Sequence, residues 1–170
     1  YPGGTTGNYT TVRAAKDWGG GIDGSGFANN YLEGIRVGYK SWVTVRGFHV
    51  KMNQANEKNQ PITVYSSDHI RVQRVSAGYA GIDVNVASIG IGPAASYVLI
   101  EEAFAYGGGR YNFLVYQSDH VIVRRSVSRL DYWQGSLQCA GFTNSNGVDT
   151  VWPNNIVLDS NSLNCASPGI

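Results

Sequence analysis

The sequence predicts an all-β solenoid, a parallel β-helix of about five to six coils, on three observations. One segment recurs almost unchanged, weaker copies of it return at the spacing of a single coil, and the segments between them lack helical periodicity. Val64-Tyr65-Ser66-Ser67-Asp68-His69-Ile70-Arg71-Val72-Gln73-Arg74 reappears 51 residues later as Val115-Tyr116-Gln117-Ser118-Asp119-His120-Val121-Ile122-Val123-Arg124-Arg125, identical at seven of eleven positions. Ser41-Trp42-Val43-Thr44-Val45, Ser96-Tyr97-Val98-Leu99-Ile100 and Asn154-Asn155-Ile156-Val157-Leu158 follow the same grammar. With Ser41, Asp68, Ser96, Asp119 and Asn154 as equivalents, the spacings are 27, 28, 23 and 35 residues.

Each element follows from local pattern. The repeat segments alternate apolar and polar with period two between Gly, Ser, Asp and Asn, the signature of strands. A second short strand precedes each: Ile35-Arg36-Val37, Ile62-Thr63-Val64, Phe113-Leu114-Val115 and Val148-Asp149-Thr150. From Val37 to Val43, Val64 to Ile70 and Val115 to Val121 the step is always 6 residues, so a coil carries strand, tight turn, strand. Thr10-Thr11-Val12-Arg13-Ala14 reads as a strand of an earlier, partial coil. One domain spans 1–170, with coils over about 10–163. Strands at this spacing with no helix between them cannot build βαβ units, and a propeller blade needs about 40–50 residues.

Composition narrows the partner. The chain has 170 residues, 13 basic against 12 acidic side chains and 15% charged residues. A formal charge of +1 does not favour nucleic acid or an anionic membrane. No apolar run approaches the roughly 20 residues of a membrane-spanning helix. A first residue of Tyr1 is the mark of a processed chain or of a piece of a longer one.

The segments 41–48 and 67–72 resemble the coils of right-handed parallel β-helix proteins, the pectate-lyase-like group, and the likeness covers about 10–163. The resemblance implies a right-handed coil. It leaves activity open, since such coils serve lyases, hydrolases, tailspikes, adhesins and fibres. Lyases of the group use carboxylates that hold calcium beside a Lys or Arg base. Glu101, Glu102, Arg74, Arg124 and Arg125 could imitate that cluster, with Arg125 as candidate base; the acids, however, alternate with Arg rather than forming an acidic cage.

Stacking at about 4.8 Å lets columns be read across coils. Val43, Ile70, Val98, Val121, Ile156 and Val45, Val72, Ile100, Val123, Leu158 are the expected core. Outward, Arg46, Gln73, Glu101, Arg124, Asp159 and Gly47, Arg74, Glu102, Arg125, Ser160 alternate charge and are expected to pair along the sheet. A third outward column, Thr44, Arg71, Leu99, Ile122, Val157, leaves Leu99, Ile122 and Val157 as interface candidates, to be covered by the 127–148 excursion with Trp133, Leu137 and Phe142, or by another subunit.

Trp42, His69, Tyr97 and His120 stand before each second strand, with Asn155 as the last member of the column. They are expected to pack on each other, or to offer a platform to sugar rings. The spacing of His49, His69 and His120 defines no metal site, and His69 and His120 are separated by a whole coil. Asp68 and Asp119 are expected to cap their own turns. Gly19-Gly20-Gly21-Ile22-Asp23-Gly24 matches a dinucleotide or calcium glycine motif only in isolation and is expected to be a loop with positive φ. Cys139 and Cys165, about one coil apart, suit either a disulfide in an oxidising compartment or two free thiols. Asn8-Tyr9-Thr10 is a glycosylation sequon.

These readings lead to an extracellular or cell-surface, non-catalytic module that stacks end to end on copies of itself, or on the remainder of a longer chain, with no nucleic-acid partner and no membrane insertion. The alternatives are a polysaccharide lyase or glycoside hydrolase, the only reading that brings in calcium, and a carbohydrate-binding adhesin segment.

Overall fold

The structure, a computed structural model, describes residues 2–26, 32–53, 58–81, 86–107, 110–129, 140–145 and 154–163. These residues form three parallel sheets and no helix. Strands are numbered in chain order. The first sheet holds β1 (Thr10–Arg13), β4 (Ser41–Arg46), β7 (Asp68–Gln73), β10 (Ser96–Glu101), β13 (Asp119–Arg124) and β16 (Ile156–Leu158). The second holds β2 (Gly20–Asp23), β5 (Phe48–Lys51), β8 (Ser76–Gly78), β11 (Phe104–Tyr106), β14 (Val127–Arg129) and β17 (Asn161–Leu163). The third holds β3 (Glu33–Gly38), β6 (Gln60–Tyr65), β9 (Ala87–Ile91), β12 (Tyr111–Tyr116) and β15 (Ala140–Ser145).

Each turn passes through the third, first and second sheets and then rises one level, which makes a parallel β-solenoid. Four turns run in this way from β3 to β14, with β1 and β2 before them and β15 to β17 after. About four turns thus replace the expected five to six, because the outermost strands do not close a continuous turn among the described residues. The six-residue step between β6 and β7, and between β12 and β13, is a turn pinned by serine. The Ser67 and Ser118 hydroxyls donate to the Tyr65 and Tyr116 carbonyls at 2.9 Å in both cases. Two residues suffice for the corner because the hydroxyl replaces a backbone donor.

The inward columns of the first sheet are in the expected register from β4 to β13: Val43, Ile70, Val98, Val121 and Val45, Val72, Ile100, Val123 are all at most 1% exposed. Facing them are Val37, Val64, Ile91 and Val115, with Ile62, Ile89 and Phe113, from the third sheet, and Val50, Ala77 and Ala105 from the second. Burying each Val or Ile side chain contributes about 1.5–3 kcal/mol, so this filled channel is the main stabilising element. Phe142 also belongs here. It stacks on Phe113 at 4.7 Å and is 2% exposed, so it closes the core instead of covering an outer face.

The last level corrects the expected register by one residue. Ile122 pairs with Ile156, Val123 with Val157 and Arg124 with Leu158. Ile156 and Leu158, read as core, are therefore outward and 47% and 45% exposed, while Val157, read as outward, packs against the core. The cause is Asn155, which takes the inward place of Val121. Its Oδ1 accepts the Val121 N–H at 2.8 Å, and its Nδ2 donates to the Ser118 carbonyl at 2.9 Å.

Two further expectations change. The 20–23 part of the glycine run is strand β2, not a loop of positive φ. A Cβ on Gly20 would lie 2.9 Å from Phe48 Cδ1, and one on Gly24 2.7 Å from Met52 Sδ, so close packing explains these glycines. The 148–150 strand, the covering residues Trp133 and Leu137, and both Cys139 and Cys165 lie outside the described residues. Asn8 is exposed, in a turn bridged to Thr5.

Candidate functional site

The outer face of the first sheet carries two ladders with an apolar stripe between them. In β4, β7, β10 and β13 the second residue drops out of the strand register and adopts a left-handed backbone: Trp42 at φ 57°, His69 at 52°, Tyr97 at 52° and His120 at 52°. That conformation costs an L-residue about 1–2 kcal/mol, so four stacked copies must be held by what the side chains gain. The gain is mutual stacking. Ring centres are 3.9 Å apart from Trp42 to His69, 4.9 Å from His69 to Tyr97 and 4.5 Å from Tyr97 to His120, with interplanar angles of 13°, 16° and 25°. Tyr9 closes one end edge-on to Trp42 at 5.2 Å, and Arg71 lies 3.9 Å from the centre of the Tyr9 ring.

Aspartates lock the imidazoles. His69 Nδ1 is 2.7 Å from Asp68 Oδ2, and His120 Nδ1 is 2.7 Å from Asp119 Oδ2. Asp68 also accepts the Ser41 hydroxyl, so it reaches across to the neighbouring strand as well as along its own turn. The Ser41 and His69 hydrogen bonds hold its carboxyl below the usual range. Burial pushes Asp119 up, but hydrogen bonds from Asn154 and then His120 outweigh it and the net shift is downward. The rings pack on one another, the first of the two arrangements expected for this column.

The second ladder follows the corner between the first and second sheets. Arg74, Glu102, Arg125 and Asp159 occupy it at φ 50°, 52°, 48° and 47°. Arg46 grips Asp17 through Nε and Nη2, both at 2.9 Å, and Arg74 Nη1 meets the same carboxylate at 2.5 Å. Arg74 Nε donates to Glu102 at 2.6 Å. Glu101, only 7% exposed, accepts from Gln73 Nε2 at 2.9 Å, from Arg124 Nε at 2.9 Å and from Arg125 Nη2. The predicted pairing along the sheet is therefore present from Gln73 and Arg74 to Arg124 and Arg125, while Arg46 pairs with Asp17 outside the columns and Leu158 lies opposite Arg124 where Asp159 was expected. Hydrogen bonds from Arg46 first and Arg74 next hold Asp17 far below the usual carboxylate range.

The three residues weighed for lyase chemistry, Arg125, Glu101 and Glu102, are thus brought together in ion pairs that Arg124 and Arg74 share. Leu99 and Ile122 lie half-buried in the stripe between the ladders, in line with Arg71 and Ile156. Among the described residues no group of three His, Cys, Asp or Glu could hold a metal ion. Tyr9 and Asp17 were not foreseen. Tyr9 was findable, since it precedes Thr10 as Trp42 precedes Val43, and Thr10 pairs with Val43. Asp17 follows β1 in a loop that no repeat marks.

The chain is a parallel β-solenoid bearing an aromatic–imidazole ladder and an ion-pair ladder side by side. No family model, no curated protein and no solved structure matches it.

Proposed function

We propose that the chain is a non-catalytic, extracellular solenoid module that stacks end to end, on copies of itself or on further coils of a longer chain, in a fibre or surface assembly. The observation that carries this reading is the apolar surface of the end levels. Ile156, Leu158 and Leu163, all on the last level, are 47%, 45% and 47% exposed, and at the other end the inward Val12 and Ile22 are only half-buried. Among the described residues, β1, β2 and β3 at one end and β15, β16 and β17 at the other each pair on one side only. Open parallel edges at both ends, with half-buried inward residues at the first level and exposed aliphatic side chains on the last, favour continuation by another coil. The two ends differ, so the contact is heterologous and propagates unless it closes.

The ion-pair ladder supports a structural role for Glu101, Glu102 and Arg125. In an oxidising compartment Cys139 and Cys165 would be joined, which mass spectrometry of the non-reduced chain detects as a linked peptide. Sedimentation and electron microscopy of the isolated chain test the assembly: concentration-dependent growth into rods, reduced by Leu158→Lys, is expected. A strictly monomeric species at high concentration overturns stacking between copies, and release of unsaturated products from uronate polymers overturns the non-catalytic reading.

A further inference from the structure

The outer face of the third sheet holds a depression that neither ladder nor stacking uses. Its floor is made by absence. Gly90 stands in the outward column Arg36, Thr63, Gly90, Leu114, and Gly92 follows Ile91, which pairs with both Val64 and Val115, so it falls between Tyr65 and Tyr116. Gly90 in β9 and Gly92 just after it therefore leave two neighbouring outward positions without side chains, while the strands on either side keep theirs. The result is a pocket of 320 Å³ with Tyr65 and Tyr116 on opposite sides and Gln60, Thr63, Glu33 and Arg36 along one end.

The two tyrosines stand two strand spacings apart, roughly 9.6 Å. Tyr65 leans away from the gap, over Gly38, where a Cβ would come within 2.6 Å of its Cζ. Arg36 lies 4.4 Å from its ring centre and Tyr39 meets it edge-on at 5.3 Å, so the ring is fixed. Tyr116 stands at the other side, its Cβ 3.5 Å and its ring Cδ1 3.8 Å from the point where a Gly92 side chain would begin, so its ring flanks Gly92 and the open floor lies over Gly90.

The polar end sets the charge of the occupant. Glu33 accepts the Thr63 hydroxyl at 2.6 Å and pairs with Arg36 at 3.2 Å, so the charges at that end cancel. Gln60 Oε1 reaches to 3.4 Å from the point where a Gly90 side chain would begin, an acceptor aimed at the floor. With one acceptor aimed inward and both walls apolar, a ring with a single donor at its edge is matched, and a ring hydroxylated all round is not. The volume is at the small end of ligand pockets, about 300–1,000 Å³, which limits the ligand to one ring.

We infer that this pocket binds a neutral, single-ring phenol, its ring between Tyr65 and Tyr116 and its hydroxyl donating to Gln60. This goes beyond the stacking role and does not depend on it.

The probe is 4-methylphenol, titrated into the full chain and followed by NMR shifts of sheet residues around Gly90. Saturable binding is expected, weakened at least tenfold by Gly90→Val and several-fold by Gln60→Leu. Gly90 has ordinary φ, and a Cβ there would meet nothing closer than 3.4 Å, so Gly90→Val is expected to fold with its γ-methyls in the pocket, which its melting curve checks. If that variant unfolds, Tyr116→Leu takes its place, with the same loss expected. Absence of saturable binding, equal binding by a folded Gly90→Val or Tyr116→Leu chain, or preference for methyl glucopyranoside over the phenol overturns the inference.

Discussion

Trp42 and His69 lie face to face, 3.9 Å between ring centres and 13° from parallel, and both sit in the left-handed backbone region. The stack and the unusual backbone hold each other in place. Removing the indole also removes the edge contact with Tyr9, so Trp42→Ala is expected to destabilise by about 1–3 kcal/mol. Trp42→Gly loses the same contacts but relieves the backbone, and should be more stable than Trp42→Ala by about 1 kcal/mol. Urea unfolding of the pair checks the sign; an alanine variant equal to or better than the glycine variant would refute the coupling of backbone and stack.

Glu101 is the hub of the ion-pair ladder, shielded from water and bonded to Gln73, Arg124 and Arg125. Arg124→Glu sets a second carboxylate against it and is expected to destabilise by about 1–2 kcal/mol. Glu101→Ala takes their shared acceptor from Arg124 and Arg125, but both are 39–50% exposed and regain water, and Arg125 keeps Glu102 at 3.6 Å, so about 1–3 kcal/mol is expected rather than the full loss of a buried pair. A rise in melting temperature for either variant would show that the pairing contributes nothing.

Asn155 replaces an aliphatic residue on the inward column and satisfies the Val121 N–H and the Ser118 carbonyl. Asn155→Val restores the column but orphans both backbone groups, and is expected to lower stability by about 1–2 kcal/mol. Calorimetry of the variant decides whether hydrogen bonding or apolar continuity governs the last level; stabilisation would favour the latter.

Acid should loosen the outer ladders. Asp17, Asp68 and Asp119 all have folded pKa values below their ordinary range, so each contributes stability that is full above the unfolded value of about 3.9 and is lost as the pH falls through the folded value. Stability is expected to fall from about pH 4 downward, and Asp68→Asn should flatten that fall. An acid limb unchanged by Asp68→Asn would exclude this carboxylate from the effect.

In β4, β7, β10 and β13, where Val and Ile stand at alternate positions, the place and face of the strand are legible in the sequence. The inward columns from β4 to β13 and the alternation of Arg and Glu beside them follow from residue type alone, because each level repeats the same side-chain chemistry. Strand β8 carries no such mark: Ser76-Ala77-Gly78 is fully buried, yet it has no β-branched or aromatic residue. The other strands of the second sheet are three or four residues long, too short to display a period, and in β9 only Ile89 and Ile91 stand among small residues. Asn154 and Asn155 offered two equivalent anchors for the last level, and only the inward hydrogen bonds of Asn155 choose between them. Asp17 joins Arg46 and Arg74 from a loop 29 and 57 residues away in sequence, a distance that no periodicity encodes.

The hydrogen bonds between successive levels run along the axis of the solenoid, and the described chain enters at one end and leaves at the other. Tension applied between those ends therefore loads the bonds of the outermost level first, as a zip is opened, and not the whole sheet in shear. Levels separated by 27, 28, 23 and 34 residues should detach in turn, each adding roughly 75–115 Å of slack as a separate force peak. A rod of this construction lengthens under load by discrete, low-force steps, and so behaves as a shock absorber instead of a stiff strut.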